Sequence, residues 1–383
     1  MTLAELLADE DLRRKEFPVV ADQIYLAHAG VCPLPERVAA AVQRYAGHCA
    51  REDQEHAFPE ATIARTRQLA ASLLGARPGE IALVGPTSLA LSLIASGLRF
   101  RKTDNIVIYF EDYPSNVYPW MALAGSGVEV RLLNIRELGR IRPVDVLGQV
   151  DEQTRLVALA SCHFISGYRI EVEAIGAELR KRNILFCLDA IQTLGAFPTP
   201  VGHVDFLAAD SHKWLLGPCG AGILYVREEL QDRLRPPLYG WHNVRCPDFV
   251  AQEQIVLRAD ARRYEAGTFN LLGLAGLHAA LELTLELGVG NIAKELLRKR
   301  SLLVPELRAK GWSVLQADSA ESNAGAILSC TRDGTDLAAL HATLRKEGIV
   351  ASLRADRGGN HYLRLSPHYY NTDAELRRVI ELL

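Results

Sequence analysis

Residues 183–226 read NILFCLDAIQTLGAFPTPVGHVDFLAADSHKWLLGPCGAGILYV. Two apolar runs, 184–188 and 204–209, each end in a polar cluster. The first delivers Asp189, with Gln192 three residues on. The second delivers Ser211, His212, Lys213 and Trp214, then a Gly/Pro-rich turn and a third apolar run. Short apolar runs rich in β-branched and aromatic residues suit buried strands. Polar residues at the carboxyl ends of such strands line the ligand crevice of an open α/β sheet.

A carboxylate at one strand end and a lysine at the next suit pyridoxal phosphate. That cofactor takes a lysine for its Schiff base and a carboxylate against its pyridine nitrogen. Asp189, Gln192 and the Ser-His-Lys-Trp run resemble the active-site signature of the class V aminotransferase family. Cysteine desulfurases, kynureninase, isopenicillin-N-epimerase-like enzymes and several lyases belong to that family. Taken alone, the same residues also allow Asp189 to cap a helix and Lys213 to be a surface lysine. The remainder of the chain separates the two readings.

A chain of 383 residues is long enough for two or three domains. Net charge is −3, without a basic block or aromatic–basic interleaving, which argues against a nucleic-acid partner. The opening MTLAELLADEDLRRKEFP is charged and amphipathic, unlike a signal peptide. No apolar run reaches transmembrane length. Seven cysteines are scattered, odd in number and without a CxxC pair, as expected of reduced thiols in a cytoplasmic protein with no metal site.

In chain order, IYLAHAGVCPLPERV at 24–38 resembles the segment that passes beside the substrate in class V enzymes, which makes His28 a candidate substrate contact. Residues 36–75 read as mostly helical. GEIALVGPTSLALSLIASGL predicts a strand, a Gly-Pro-Thr-Ser turn and an apolar helix. The unpaired N–H groups and positive dipole end of such a helix suit a phosphate. Thr87 and Ser88 either add hydroxyl donors or cap the helix. NIVIYFEDYPSNVYPW resembles the family segment that lays a ring over the pyridine face, a role that falls to Tyr113. Helix 143–153 precedes RLVALASCHFISGYRI, whose His163 falls near the cofactor's ring oxygen by resemblance. Helix 171–182 then leads into the quoted stretch. Alternating strands and helices predict a mostly parallel, doubly wound sheet.

Beyond Lys213, Gly240-Trp241 resembles a kynureninase-type loop whose indole N–H donates to the phosphate. YEAGTFN at 264–270 resembles the segment whose threonine reaches the neighbouring subunit's phosphate. Thr268 therefore implies a homodimer, or alternatively a helix N-cap. The terminal HYLRLSPHYYNT places Arg364 where the family grips the substrate carboxylate; a guanidinium fork matches a carboxylate bidentately.

The resemblance runs from about residue 17 to the end and implies the pyridoxal-phosphate fold type I. A mostly parallel seven-stranded sheet is expected in a large domain at 17–270, with a smaller α+β domain at 271–383 against which residues 1–16 pack. Lys213, Asp189 and Gln192 become the catalytic set, with His212 beside the phosphate. The implied activity is chemistry at the α-carbon of a small amino acid, as a transaminase or a C–S or β-elimination lyase. Epimerisation, kynureninase-like hydrolysis and a cofactor-free scaffold are the alternatives. Two departures matter. Desulfurases carry serine two residues before the histidine, where this chain has Asp210. They also need a cysteine on the loop before the arginine, and Ala351–Leu363 contains none, which disfavours desulfuration.

Overall fold

The apolar runs around Asp189 and Lys213 lie side by side in one sheet. The computed structural model describes residues 1–383. Helices Leu3–Ala8 and Glu10–Glu16 lead to a two-residue strand, β1 (Ile24–Tyr25). After helices Glu36–Cys49 and Glu60–Leu74 come β2 (Ile81–Val84), β3 (Asn105–Ile108), β4 (Glu129–Leu132), β5 (Thr154–Ala160), β6 (Leu185–Asp189), β7 (Phe206–Asp210) and β8 (Gly222–Val226). These seven pair in the order β2-β8-β7-β6-β5-β3-β4. All are parallel except β8, which is antiparallel to both neighbours. The exception has a local cause: β7 and β8 are joined without a crossover helix, and only antiparallel neighbours can be joined that way.

β6, β7 and β8 are buried along their whole length. Phe186, Leu188, Leu207 and Ala209 pack into one core cluster, while Leu185, Cys187, Phe206 and Ala208 pack into another on the opposite face. Successive side chains point to opposite faces of a strand, so a sheet covered on both sides reads as unbroken apolar runs.

A second sheet forms from β9 (Ser313–Val314), β10 (Leu328–Thr331), β12 (Ser352–Ala355) and β13 (His361–Leu365), antiparallel and ordered β12-β13-β10-β9. Between them, β11 (Ile349–Val350) pairs in parallel with β1. That pairing ties the entry segment to the C-terminal sheet. Ile24 N–H donates to Gly348 O, Leu26 N–H to Val350 O, and Ser366 N–H to Leu26 O, at 2.9, 2.8 and 2.7 Å.

Some elements are shorter than their patterns suggest. Helix 143–153 is confined to Pro143–Leu147. β10 begins only at Leu328, since upstream Gly325 N–H is taken by Gly167 O at 2.8 Å. Helix Leu271–Leu287 begins at residue 271, the expected domain division. Its Leu271–Leu281 portion packs with the large sheet's core, whereas Leu283 and Leu287 join Leu3, Leu6, Phe17, Tyr369 and Tyr370. Arg13 pairs with Glu375 at 2.7 Å in the same region. No single helix is long and apolar enough to cross a membrane.

Candidate active site

Four elements converge on one cavity of about 330 Å³. β6 ends on Asp189, and the turn after β7 carries His212 and Lys213. Helix Thr87–Gly97 begins there, and β13 contributes Arg364. Thr87, Ser88, Tyr113, Asp189, Gln192, His212, Lys213 and Arg364 all lie on its wall. Strands that end together deliver their following residues together, which is why residues far apart in the chain meet here.

Lys213 is 6 % exposed, and its Nζ has neither a hydrogen bond nor an ion pair; it lies 5.3 Å from the centre of the Tyr113 ring. Burial pulls its pKa down to about 8, opposed in part by Asp189. The Asp189 carboxylate is buried, with one hydrogen bond, accepted by Oδ1 from Ile191 N–H at 3.0 Å. Burial raises its pKa to about 6, against the pull of that N–H and of Lys213. Neither group is the helix cap or surface lysine of the bland reading.

Gln192 is clamped: its Oε1 accepts from Trp214 Nε1–H at 2.7 Å, and its Nε2 donates to Ala29 O at 3.1 Å. One amide N–H remains for the cavity. Thr87 does not cap its helix. Pro86 stands at the N-cap, and Thr87 Oγ1 accepts from Asp210 N–H at 2.9 Å. The Thr87 and Ser88 N–H groups have no acceptor in the chain, as expected of a helix's first turn. Asp210 faces away from the cavity wall. Its carboxylate accepts from the N–H groups of Ser211, Gly220 and Ala221, at 2.7, 3.0 and 3.2 Å. His212 Nδ1 approaches Asp210 Oδ2 at 2.8 Å, in a direction outside hydrogen-bond geometry.

Arg364 is 1 % exposed. Its Nη1 donates to Phe164 O at 2.7 Å, while Nε and Nη2 have no partner. Burial, with the Arg354 charge nearby, pulls its pKa down to about 9. A buried donor left unpaired costs about 1–3 kcal/mol, more when charged. The free Nε/Nη2 edge is thus shaped for an anion.

Four expected site residues lie elsewhere. His163 is buried off the wall, with Nε2 on Glu111 O at 3.0 Å and Nδ1 beside Ser166 Oγ at 3.2 Å. Its neighbour Phe164 takes the wall instead, since adjacent side chains diverge. His28 is fully buried. Its Nδ1 lies 2.9 Å from Ser366 O, an acceptor, so Nδ1 carries the proton and Nε2 accepts from Tyr370 O–H at 2.7 Å. Ala29, Gly30 and Val31 provide that part of the wall. Trp241 and Thr268 line a separate cavity of about 270 Å³, with Phe58, Arg67 and Arg262. Thr268 is not an N-cap either, because Asn270 caps helix Leu271–Leu287, accepting from Gly273 N–H at 3.0 Å.

Arg354 was not among the expected residues, yet it lines the Lys213 cavity. A signal existed: third in strand β12, it shares the β12–β13 hairpin with Arg364. Ser352 pairs with Arg364 and Arg354 with Tyr362, so both arginines occupy one face as diagonal neighbours.

An unpartnered, partly deprotonated lysine and a buried carboxylate facing it fit the needs of pyridoxal phosphate, and the open helix start fits its phosphate. Comparison with known proteins agrees. The chain is 30% identical to a probable cysteine desulfurase of Methanothermobacter thermautotrophicus, covering 98% of this chain and 97% of that protein. It is 28% identical to the uncharacterized aminotransferase YcbU of Bacillus subtilis, covering 96% and 95%. The apo structure of the cysteine desulfurase from Thermococcus onnurineus NA1 superposes with a TM-score of 0.89 at 25% identity, over 97% of this chain and 96% of that one. With the Aminotransferase class-V model matching residues 24–379, the chain belongs to that family of pyridoxal-phosphate enzymes and shares its fold type I architecture.

Proposed function

We propose that the protein acts at the α-carbon of an amino acid as an aminotransferase or a β-elimination lyase. One observation carries the reading: a buried amine, a buried carboxylate and an unpartnered guanidinium edge face one cavity whose wall has no cysteine. When bound, pyridoxal phosphate supplies an electron sink for the substrate's α-carbon. Lys213 would anchor it, and its Nζ would accept the substrate's α-proton. A pKa brought near neutrality suits that transfer. Asp189 would hold a proton on the ring nitrogen, and Gln192 would offer its remaining N–H to the ring oxygen. The Thr87 and Ser88 N–H groups, with His212, would hold the phosphate, and Tyr113 would cover the ring. Arg364 takes the α-carboxylate on its Nε/Nη2 edge.

Forming an enzyme persulfide needs a thiol in reach of the substrate. Cys330 is buried on β10, with its Sγ against Leu363 O at 3.6 Å, and Cys32 is buried with its pKa raised to about 12. Neither lines the cavity, so cysteine desulfuration is disfavoured for this chain despite the names of its relatives. Trp241 and Thr268 face a second copy in this reading, and Thr268 completes that copy's site.

The test is a panel of amino acids given to the cofactor-loaded protein. Transamination yields an oxo acid without free ammonia and needs an oxo-acid acceptor to continue. Elimination yields an oxo acid with one ammonia per turnover. Alanine together with protein-bound persulfide, formed from cysteine, would overturn the proposal.

A further inference from the structure

Charge on the cavity wall is unbalanced. Asp189 is its single carboxylate, set against Lys213, Arg354 and Arg364. Lys213 and Asp189 are matched to the cofactor, and His212 lies beside the helix start. That leaves two guanidinium groups. Arg364 uses Nη1 on Phe164 O and keeps its Nε/Nη2 edge free, an edge that accommodates one carboxylate bidentately. One α-carboxylate satisfies it fully.

Arg354 is then surplus. It forms no ion pair, and its one hydrogen bond runs from Nη1 to Leu353 O at 2.7 Å. The two arginines are close. The Cβ that Gly30 lacks would stand 3.6 Å from Arg364 Nη2 and 3.7 Å from Arg354 Nη2. A side chain at position 30 would therefore crowd the space between the two forks. Like charges placed together without an acid are unfavourable unless an anion arrives to join them.

We propose that Arg354 is the specificity residue for a side-chain carboxylate, and that the substrate is a dicarboxylic amino acid lying across Gly30, its α-carboxylate on Arg364. The inference rests on the proposed α-carbon chemistry.

The test uses the cofactor-loaded protein and the visible absorption of its lysine-bound cofactor, titrated with L-aspartate, L-asparagine, L-glutamate, L-glutamine and L-alanine. At least one acid should half-saturate about ten- to a hundredfold below its own amide, the range expected of a charge-assisted hydrogen bond. Arg354→Met should reduce that ratio to about threefold or less, and Arg354→Glu should invert it. Equal half-saturation by acid and amide in the unmodified protein would overturn the inference and leave the functional reading standing. So would an Arg354→Met variant that loses alanine as severely as the acid, since Arg354 would then serve the α-carboxylate. Silence toward every amino acid, alanine included, would overturn the functional reading and this inference with it.

Discussion

The cavity around Lys213 and the cavity around Trp241 differ in what each leaves unsatisfied. In the first, polar groups are buried without partners: Lys213 Nζ has none, and Arg364 has two unpaired nitrogens. In the second, Arg67 and Arg262 are paired, and apolar surface is left bare. Arg67 is held by Glu265 and Ile81 O, and Arg262 by Asp260. Around it Trp241 is 39% exposed and Phe249 77%, their rings 5.5 Å apart, with Ile255 69% exposed on the same excursion of chain. Unpaired buried charge calls for a small ionic ligand. A contiguous exposed apolar patch calls for a protein surface. The contrast supports the proposal that the first cavity serves chemistry and the second association.

The largest expected effect separates them outright. Lys213→Ala should abolish the visible band of lysine-bound cofactor and cut turnover at least about a hundredfold, the lower end of what a positioned proton-transfer group supplies. Its mass in sedimentation equilibrium should not change. Retained turnover with the band intact would break the assignment of chemistry to that cavity. In the converse experiment, Phe249→Glu combined with Trp241→Ala should weaken self-association about tenfold or more, from the loss of buried aromatic area and the insertion of a charge. A wild-type protein that already sediments as a single chain would remove the basis for assigning association to the second cavity.

These two cavities also show what was legible in the chain. Asp189, Lys213 and Arg364 were visible because each ends, closely follows or occupies an apolar strand, and the strand pattern itself says where they go. The seven-stranded sheet was legible for the same reason. His28 and His163 were misplaced because a histidine in an irregular turn has no period to say which way it faces. Their partners, Tyr370 and Glu111, are known only from the fold. Arg354 sits in a short strand among charged neighbours and reads as surface until β12 is registered against β13. Trp241 and Thr268 resemble cofactor residues, but within one chain they stand apart from the Lys213 cavity.

The smallest expected effect concerns the layer behind the first cavity. Burial lowers the pKa of His28 from 6.5 to about 4. The unfolded chain therefore binds more protons than the folded one between those values, and stability falls as pH falls through that window. His28 alone should remove roughly 2 kcal/mol by about pH 5. Urea unfolding of His28→Gln should show a shallower loss between about pH 7 and pH 5 than the wild type. Identical slopes would show that this layer admits water, and would weaken the distinction between a dry chemical cavity and a wet associative one.

The strand pair β1–β11 has a mechanical consequence. Its hydrogen bonds, with those from Ser366 to Leu26 O and from Ala29 N–H to Ser366 Oγ, fasten the entry segment beside the sheet that carries Arg354 and Arg364. Gly30 and the two forks are therefore held at a fixed separation by backbone pairing, so the span between the two proposed carboxylate sites is set by the fold rather than by side-chain packing.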